Sequence, residues 1–344
     1  MPIRFIMATE SAPSEYQNLV PVAINSFIGG KIAHVDLFIK ISEDKFIRVV
    51  KKGDAFDLER LKNYSSHRVE FVYIDKSAFG SHVETSVSIA NIAIKKTSVP
   101  QGARVKMLTS AADAVFHELS RMDFNEDCFE HAKKICGSMI GVVGVDHDVG
   151  KIILELTELN SDFAKHSVGV SIIATMIANA LAWKGAKTMN LISMGGLLHD
   201  IGFKNLPPEL MEMKKSDMSP EEIKLYESHP IKAITLLRDF SEVPQEVVAI
   251  IGEHHEIPNG LGFPRGIKTD RIYPLSRCVA LADQLVHLIL ITKNNPNPKS
   301  LREAILYLEH SVHHDFQSIF WEALYKIAGD KNFAMAKEKD KKRA

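Results

Sequence analysis

The stretch "MGGLLHDIGF" runs from Met194 to Phe203, and the question it poses is whether its histidine–aspartate pair does chemistry. A second pair lies upstream in "VGVDHDVGK", Val143 to Lys151. Each is followed by an aliphatic residue and a glycine. The upstream copy then has Lys151, the downstream copy Phe203. The upstream setting, "GVVGVDHDVG", is glycine-rich and reads as a turn between helices, so His147-Asp148 is expected to be a loop pair. The downstream pair closes a helical stretch, "KTMNLISMGGLLHD", expected to stop near Gly202. Adjacent residues of a regular helix point about 100° apart. A bent helix end lets both side chains approach one site.

Working outward, helical spacing continues on both sides. "KHSVGVSIIATMIANALAW" sets Ile173, Met176, Ile177, Ala180 and Leu181 on one face and carries His166. "SPEEIKLYESHPIKAITLLRDF" opens with a capping box, Ser219 with Glu222, and contains His229-Pro230. "VPQEVVAIIGEHHE" has Pro244 in its first turn and ends near His254-His255. After the turn-rich "NGLGFPRG", the helix "PLSRCVALADQLVHLILIT" surrounds Asp283 with apolar residues. An ionised carboxylate there is costly unless paired or bound to a cation. An arginine partner or a narrow polar face would satisfy it. The other imidazoles on apolar helices favour a metal. Imidazole with carboxylate suits iron, manganese or zinc, and not calcium. Two ions roughly 4 Å apart can clamp a phosphoester between them.

In this order, His166, His199-Asp200, His229-Pro230, "HHEIPNGLGFP" and Asp283, the chain resembles the HD-GYP family, a branch of the HD phosphohydrolases. The resemblance covers about residues 150 to 330. It implies a helical bundle holding a two- or three-metal site, iron with manganese as the alternative. The implied activity is hydrolysis of cyclic di-GMP by a metal-bridged hydroxide. Carried over by position, His166, His199, Asp200, His229, His254, His255 and Asp283 are the implied ligands, with Asp200 bridging two ions. Asp162 lies one helical turn before His166, where relatives with a third metal often carry glutamate; the shorter side chain weakens the case for a third ion.

Departures from the family pattern concentrate on phosphate. The motif lysine is displaced by one place, from Phe203 to Lys204. Gly-Tyr-Pro becomes Gly262-Phe263-Pro264, and Asn259 stands where aspartate is usual. Thr292 and Lys293 stand where relatives have arginine and further basic residues. Lys204 is the implied catalytic cation beside Asp200. Lys204, Phe263, Arg265 and Lys293 are the implied substrate contacts, with Lys268 as a possible substitute. The reading is a weak or divergent cyclic di-GMP phosphodiesterase. One alternative is a catalytically degenerate module that binds metal and a nucleotide or protein partner. Another is an HD hydrolase of a different phosphoester.

Composition sets the frame. The 344 residues are 45% hydrophobic and 25% charged, with net charge −1, so no bulk attraction to nucleic-acid polymers or anionic membranes is expected. Three cysteines without C-x-x-C spacing suit a reducing cytoplasm. The N-terminus lacks the apolar core of a signal peptide, and no apolar run reaches membrane-spanning length. Residues 30 to 75 read as strand, strand, helix, strand: a hairpin of "HVDLFIKI" and "KFIRVV", the helical "DAFDLERLKNY", then "RVEFVYID". The expected organisation is an α+β regulatory module at 1–98 and a helical linker at 99–150. An all-α, HD-type bundle follows at 151–332, then a charged tail at 333–344. Signalling partners are expected at the Gly-Phe-Pro loop or the N-terminal module. His310, His313 and His314 could bind metal at i, i+3, i+4 but are read as a solvated face, and His117 and His131 as isolated residues.

Overall fold

In a computed structural model the described residues are 18–24, 27, 32–42, 45–55, 71–96, 98–121, 125–145, 152–153, 156–157, 162–207, 209–268 and 271–329. The helix expected over 54–64, the start of the strand at 68–70, His147-Asp148 and the charged tail fall essentially outside them. The chain divides into two compact units, Met1–Ser86 and Val87–Ala344.

In the first unit the described residues form a four-stranded antiparallel sheet in the order β1-β4-β2-β3. The strands are β1 (Leu19–Ala23), β2 (Leu37–Ser42), β3 (Lys45–Val50) and β4 (Phe71–Asp75). The expected hairpin is β2–β3, and β1 was not anticipated: "LVPVA" is short and interrupted by Pro21. Strand alternation sends Leu37 and Ile39 of β2 and Val72 and Ile74 of β4 into the core.

The chain continues through α1 (Phe79–Lys95), α2 (Gln101–Arg121), α3 (Glu126–Val145), α4 (Asp162–Ala180) and α5 (Ala186–Leu198). Then follow α6 (Pro220–Glu227), α7 (His229–Leu237), α8 (Gln245–Glu253), α9 (Pro274–Ile289), α10 (Leu301–Val312) and α11 (Ser318–Ile327). The architecture is thus a small α+β region followed by a helical bundle. α4 is its axis, with every residue from Ala164 to Ala178 buried. Around it pack α2, α3, α5, α9 and α11. Its polar groups find partners inside: Ser171 Oγ donates to the Ser193 carbonyl at 2.7 Å, and Thr175 Oγ1 to the Ser171 carbonyl at 2.7 Å. α4 and α5 meet backbone to backbone at Gly196, where a Cβ would stand 2.8 Å from Ser171 Cα. This crossing fixes the spacing of His166 and His199, which lie a short distance along each helix.

Two helix boundaries differ from expectation. α5 ends at Leu198, not near Gly202; His199 caps it, and Asp200 (φ −100°, ψ 8°) opens a 3-10 turn, Ile201–Asn205. The helix expected from Ser219 onward is two helices, α6 and α7, with Ser228 between them. Pro230 has no N–H to give the Tyr226 carbonyl four residues back, so the helix breaks there. The Ser219–Glu222 capping box is present. Among the described residues no helix is long and apolar enough to cross a membrane, and Cys128, Cys136 and Cys278 are buried and form no disulfide.

Candidate metal centre

Helix ends aim the imidazoles. The last carbonyls of a helix lack intrahelical partners. His199 Nδ1 takes the Gly196 carbonyl at 2.8 Å, and His254 Nδ1 takes the Ile251 carbonyl at 2.7 Å. His229 Nδ1 takes the Tyr226 carbonyl at 2.7 Å, the group that Pro230 leaves unpaired. Each bond fixes the ring and places the proton on Nδ1, so each Nε2 lone pair points into the site.

These lone pairs converge on one carboxylate. Asp200 Oδ1 lies 3.2 Å from His229 Nε2 and 3.7 Å from His254 Nε2. Asp200 Oδ2 lies 3.2 Å from His199 Nε2 and 3.8 Å from His166 Nε2. One oxygen therefore faces each half of the site. Asp200, His229, His254 and His255 offer donor atoms all within 4.8 Å of one another, and so do His166, His199 and Asp200. Asp283 joins the second half, with Oδ1 3.0 Å from His166 Nε2 and 3.9 Å from His199 Nε2.

The donors fit divalent metal ions. His229 and His254 bring their Nε2 atoms to 3.3 Å while each Nδ1 holds a proton on a carbonyl. Two facing lone pairs repel unless a cation lies between them. Asp283 Oδ1 is buried and accepts no hydrogen bond, although imidazoles face it. Donors bound about 2.1 Å from one ion stand about 3.0 Å apart when adjacent, close to the shorter spacings here.

Charge in the cluster suits this role. Burial opposes ionisation of Asp200, but His199, His229 and His254 outweigh it and hold the carboxyl well below its usual range. Asp283 is likewise held low, against burial, by His287 and His166. Burial, aided by His287, pushes His166 down to about 4, and burial also lowers His254 and His255. His199 is raised to about 9, because Asp200 and Asp283 overcome its burial. The centre thus combines ionised carboxylates with three imidazoles, His166, His254 and His255, that burial keeps neutral, while His199 would have to release its proton to ligate a metal.

Aromatic rings back the imidazoles. Phe203 is buried with Leu206 and Leu210 and stacks on His229, centroids 4.3 Å apart at 19°. Phe263 stacks on His255 at 4.4 Å and 28°. The Gly-Phe-Pro loop is held down by acids that sequence reasoning missed. Glu256 accepts from the Arg265 and Ile267 amides, and Glu253 accepts from the Tyr273 amide and Arg265 Nη2. Asn259 Oδ1 accepts from the Leu261 amide, a turn contact aspartate would also make.

The cations expected at phosphate are dispersed. Lys204 Nζ donates to the Leu119 carbonyl at 2.8 Å, and Arg265 pairs with Glu253 at 2.6 Å. Lys268 and Lys293 are exposed. Asp162 lies outside the metal-type groups; it pairs with Lys165 at 3.1 Å and accepts from the Lys293 amide. Lys215, which the sequence did not single out, lies 5.0 Å from the Phe263 ring centroid. The sequence also passed over His287 as a ligand, although it stands on the Asp283 face one turn later. His310, His313 and His314 are exposed and belong to none of the groups, and His131 pairs with Glu118.

Comparison with known proteins finds HD-domain relatives. The sequence model of the HD domain matches residues 152–317. The chain is 25% identical over 194 residues to a cyclic di-GMP phosphodiesterase of Thermotoga maritima, covering 55% of this chain and 52% of that protein. It is 26% identical over 242 residues to the cyclic di-GMP phosphodiesterase PA4108 of Pseudomonas aeruginosa, covering 66% of this chain and 57% of that one. The match thus spans little more than half the length of these relatives. In fold it is similar to Bd1817, a HDG"Y"P protein from Bdellovibrio bacteriovorus, with TM-score 0.71 and 23% identity over 90% of this chain and 99% of that one. With its ordered histidines and aspartates and its Gly-Phe-Pro loop, the chain carries an HD domain over residues 152–317 and is similar to HD-GYP proteins.

Proposed function

We propose that the second unit is a divalent-metal-dependent phosphodiesterase acting on a cyclic dinucleotide, with cyclic di-GMP the first candidate. The observation that carries this reading is the division of Asp200, one oxygen toward His229 and His254 and the other toward His199 and His166. His166, His199, Asp200 and Asp283 would hold one ion, and Asp200, His229, His254 and His255 the other. Bound there, two divalent ions, iron or manganese, would supply Lewis-acid polarisation and charge neutralisation at a phosphodiester. The names of the curated relatives support the substrate class.

The chain's own contribution is rigidity and exclusion of water. Carbonyl-anchored imidazoles hold their lone pairs in place, and Phe203 and Phe263 shield His229 and His255. Lys204 and Arg265 are engaged elsewhere, and Lys215, above Phe263, is itself paired with Glu227 at 2.7 Å, so each of these cations would have to leave a partner to meet phosphate. Each missing cationic contact removes about 1–3 kcal/mol, or roughly a tenfold to hundredfold in rate. Slow turnover is the expected outcome.

The engaged Lys204 and Arg265 also favour a second reading, a metal centre that binds the dinucleotide without cleaving it. Incubating iron- or manganese-loaded protein with micromolar cyclic di-GMP, under reducing anaerobic conditions, separates the two. The enzyme reading expects linear dinucleotide or GMP, lost on chelation. Binding without product supports the second reading, and neither binding nor product rejects both.

A further inference from the structure

The metal reading leaves one side chain at the centre without a role. His287 lies on α9, four residues after Asp283 and on the same helix face. Its Nε2 stands 3.3 Å from Asp283 Oδ1, and its ring centroid lies 4.3 Å from that of His166. His166, Asp283 and His287 offer ligand atoms all within 4.8 Å of one another. Asp283 Oδ1, the atom between the two histidines, accepts no hydrogen bond from either. Although α9 is apolar over most of its surface, the His287 side chain is 62% exposed. It therefore reaches the centre from the solvent side, while His166 and His199 reach it from the core.

We infer that His287 is a further ligand of the ion held by His166, His199, Asp200 and Asp283. The inference rests on the metal reading above, and the geometry gives it a definite consequence. Adjacent donors on one ion with bonds near 2.1 Å stand about 3.0 Å apart. The Asp283–His166 spacing of 3.0 Å and the Asp283–His287 spacing of 3.3 Å both fit neighbours in one shell. A fifth protein donor takes a coordination position that a catalytic ion ordinarily keeps for water or substrate. The two halves of the site then differ. The Asp283 half is the more closed and holds its ion more tightly. The half formed by His229, His254 and His255 is the more open toward phosphate.

The test is a competitive titration of full-length protein with a chromophoric chelator, using Mn2+ alone, on wild type and His287→Ala. His287→Gln serves as a second variant, and thermal melts of the metal-free proteins check the fold. Wild type is expected to bind two ions, one of them more tightly. In His287→Ala the tighter ion should weaken at least tenfold, with the other unchanged within threefold. Two ions with both affinities unchanged in both variants would overturn the assignment of His287 and leave the metal centre standing. Wild-type protein that binds no Mn2+ would overturn the metal reading itself, and the role of His287 with it.

Discussion

Asp200→Ala is expected to leave a folded chain that holds at most one divalent ion in place of two. Each Asp200 oxygen faces a different set of imidazoles, so its loss removes an anionic donor from both halves at once. Imidazoles alone would then have to neutralise the second ion, and the Asp283 carboxylate serves only one half. Metals of this kind supply several kcal/mol of transition-state stabilisation. Any cyclic dinucleotide hydrolysis should fall by about a thousandfold or more. Asp200→Asn keeps the shape and removes the charge, and should show most of the same loss. Metal analysis beside far-ultraviolet circular dichroism checks this. Two ions retained by folded Asp200→Ala would contradict the bridging role.

Gly202→Ala should damage fold and site together. A Cβ at Gly202 would overlap the carbonyl oxygen of His229 and lie 2.8 Å from the Ala233 amide nitrogen. Both are backbone atoms, so no side chain can swing away to relieve the clash. Either the 3-10 turn after Asp200 moves or the first turn of α7 does. Asp200 sits at the start of one and His229 at the start of the other. The loss of stability should reach or exceed the roughly 1–3 kcal/mol usual for overpacking. The fraction that remains folded should bind metal poorly. Denaturant melts and metal content report the two effects separately, and a Gly202→Ala protein of wild-type stability and metal content would contradict the packing described here.

The metal-type residues were legible because their order and residue types survive in the sequence. Buried polar residues on apolar helices stand out against hydrophobic periodicity, as Asp283 does. The side-chain directions were not legible. That His229 is anchored through its Nδ1 depends on the break before Pro230, and the unbroken helical spacing from Ser219 hid that break. The one-place lysine shift at Phe203 and Lys204 was visible, but its meaning needed the fold. Phe203 fills an apolar cluster and stacks on His229, while Lys204 turns to the Leu119 carbonyl, some eighty residues away in the chain. His287 carried a readable signal, the four-residue spacing from Asp283, yet its apolar surroundings drew attention to the helix's burial instead. In the first unit β1 was missed because Pro21 interrupts a five-residue strand. Its pairing with β4, more than forty residues away, is a tertiary effect that local pattern does not encode.

The central claim is that these histidines and aspartates form a two-metal centre divided by Asp200. Elemental analysis of protein purified anaerobically and loaded with iron or manganese tests it most directly. Close to two divalent ions per chain are expected, falling to one or fewer in Asp200→Ala. Wild-type protein that retains no metal after removal of the unbound ions would contradict it.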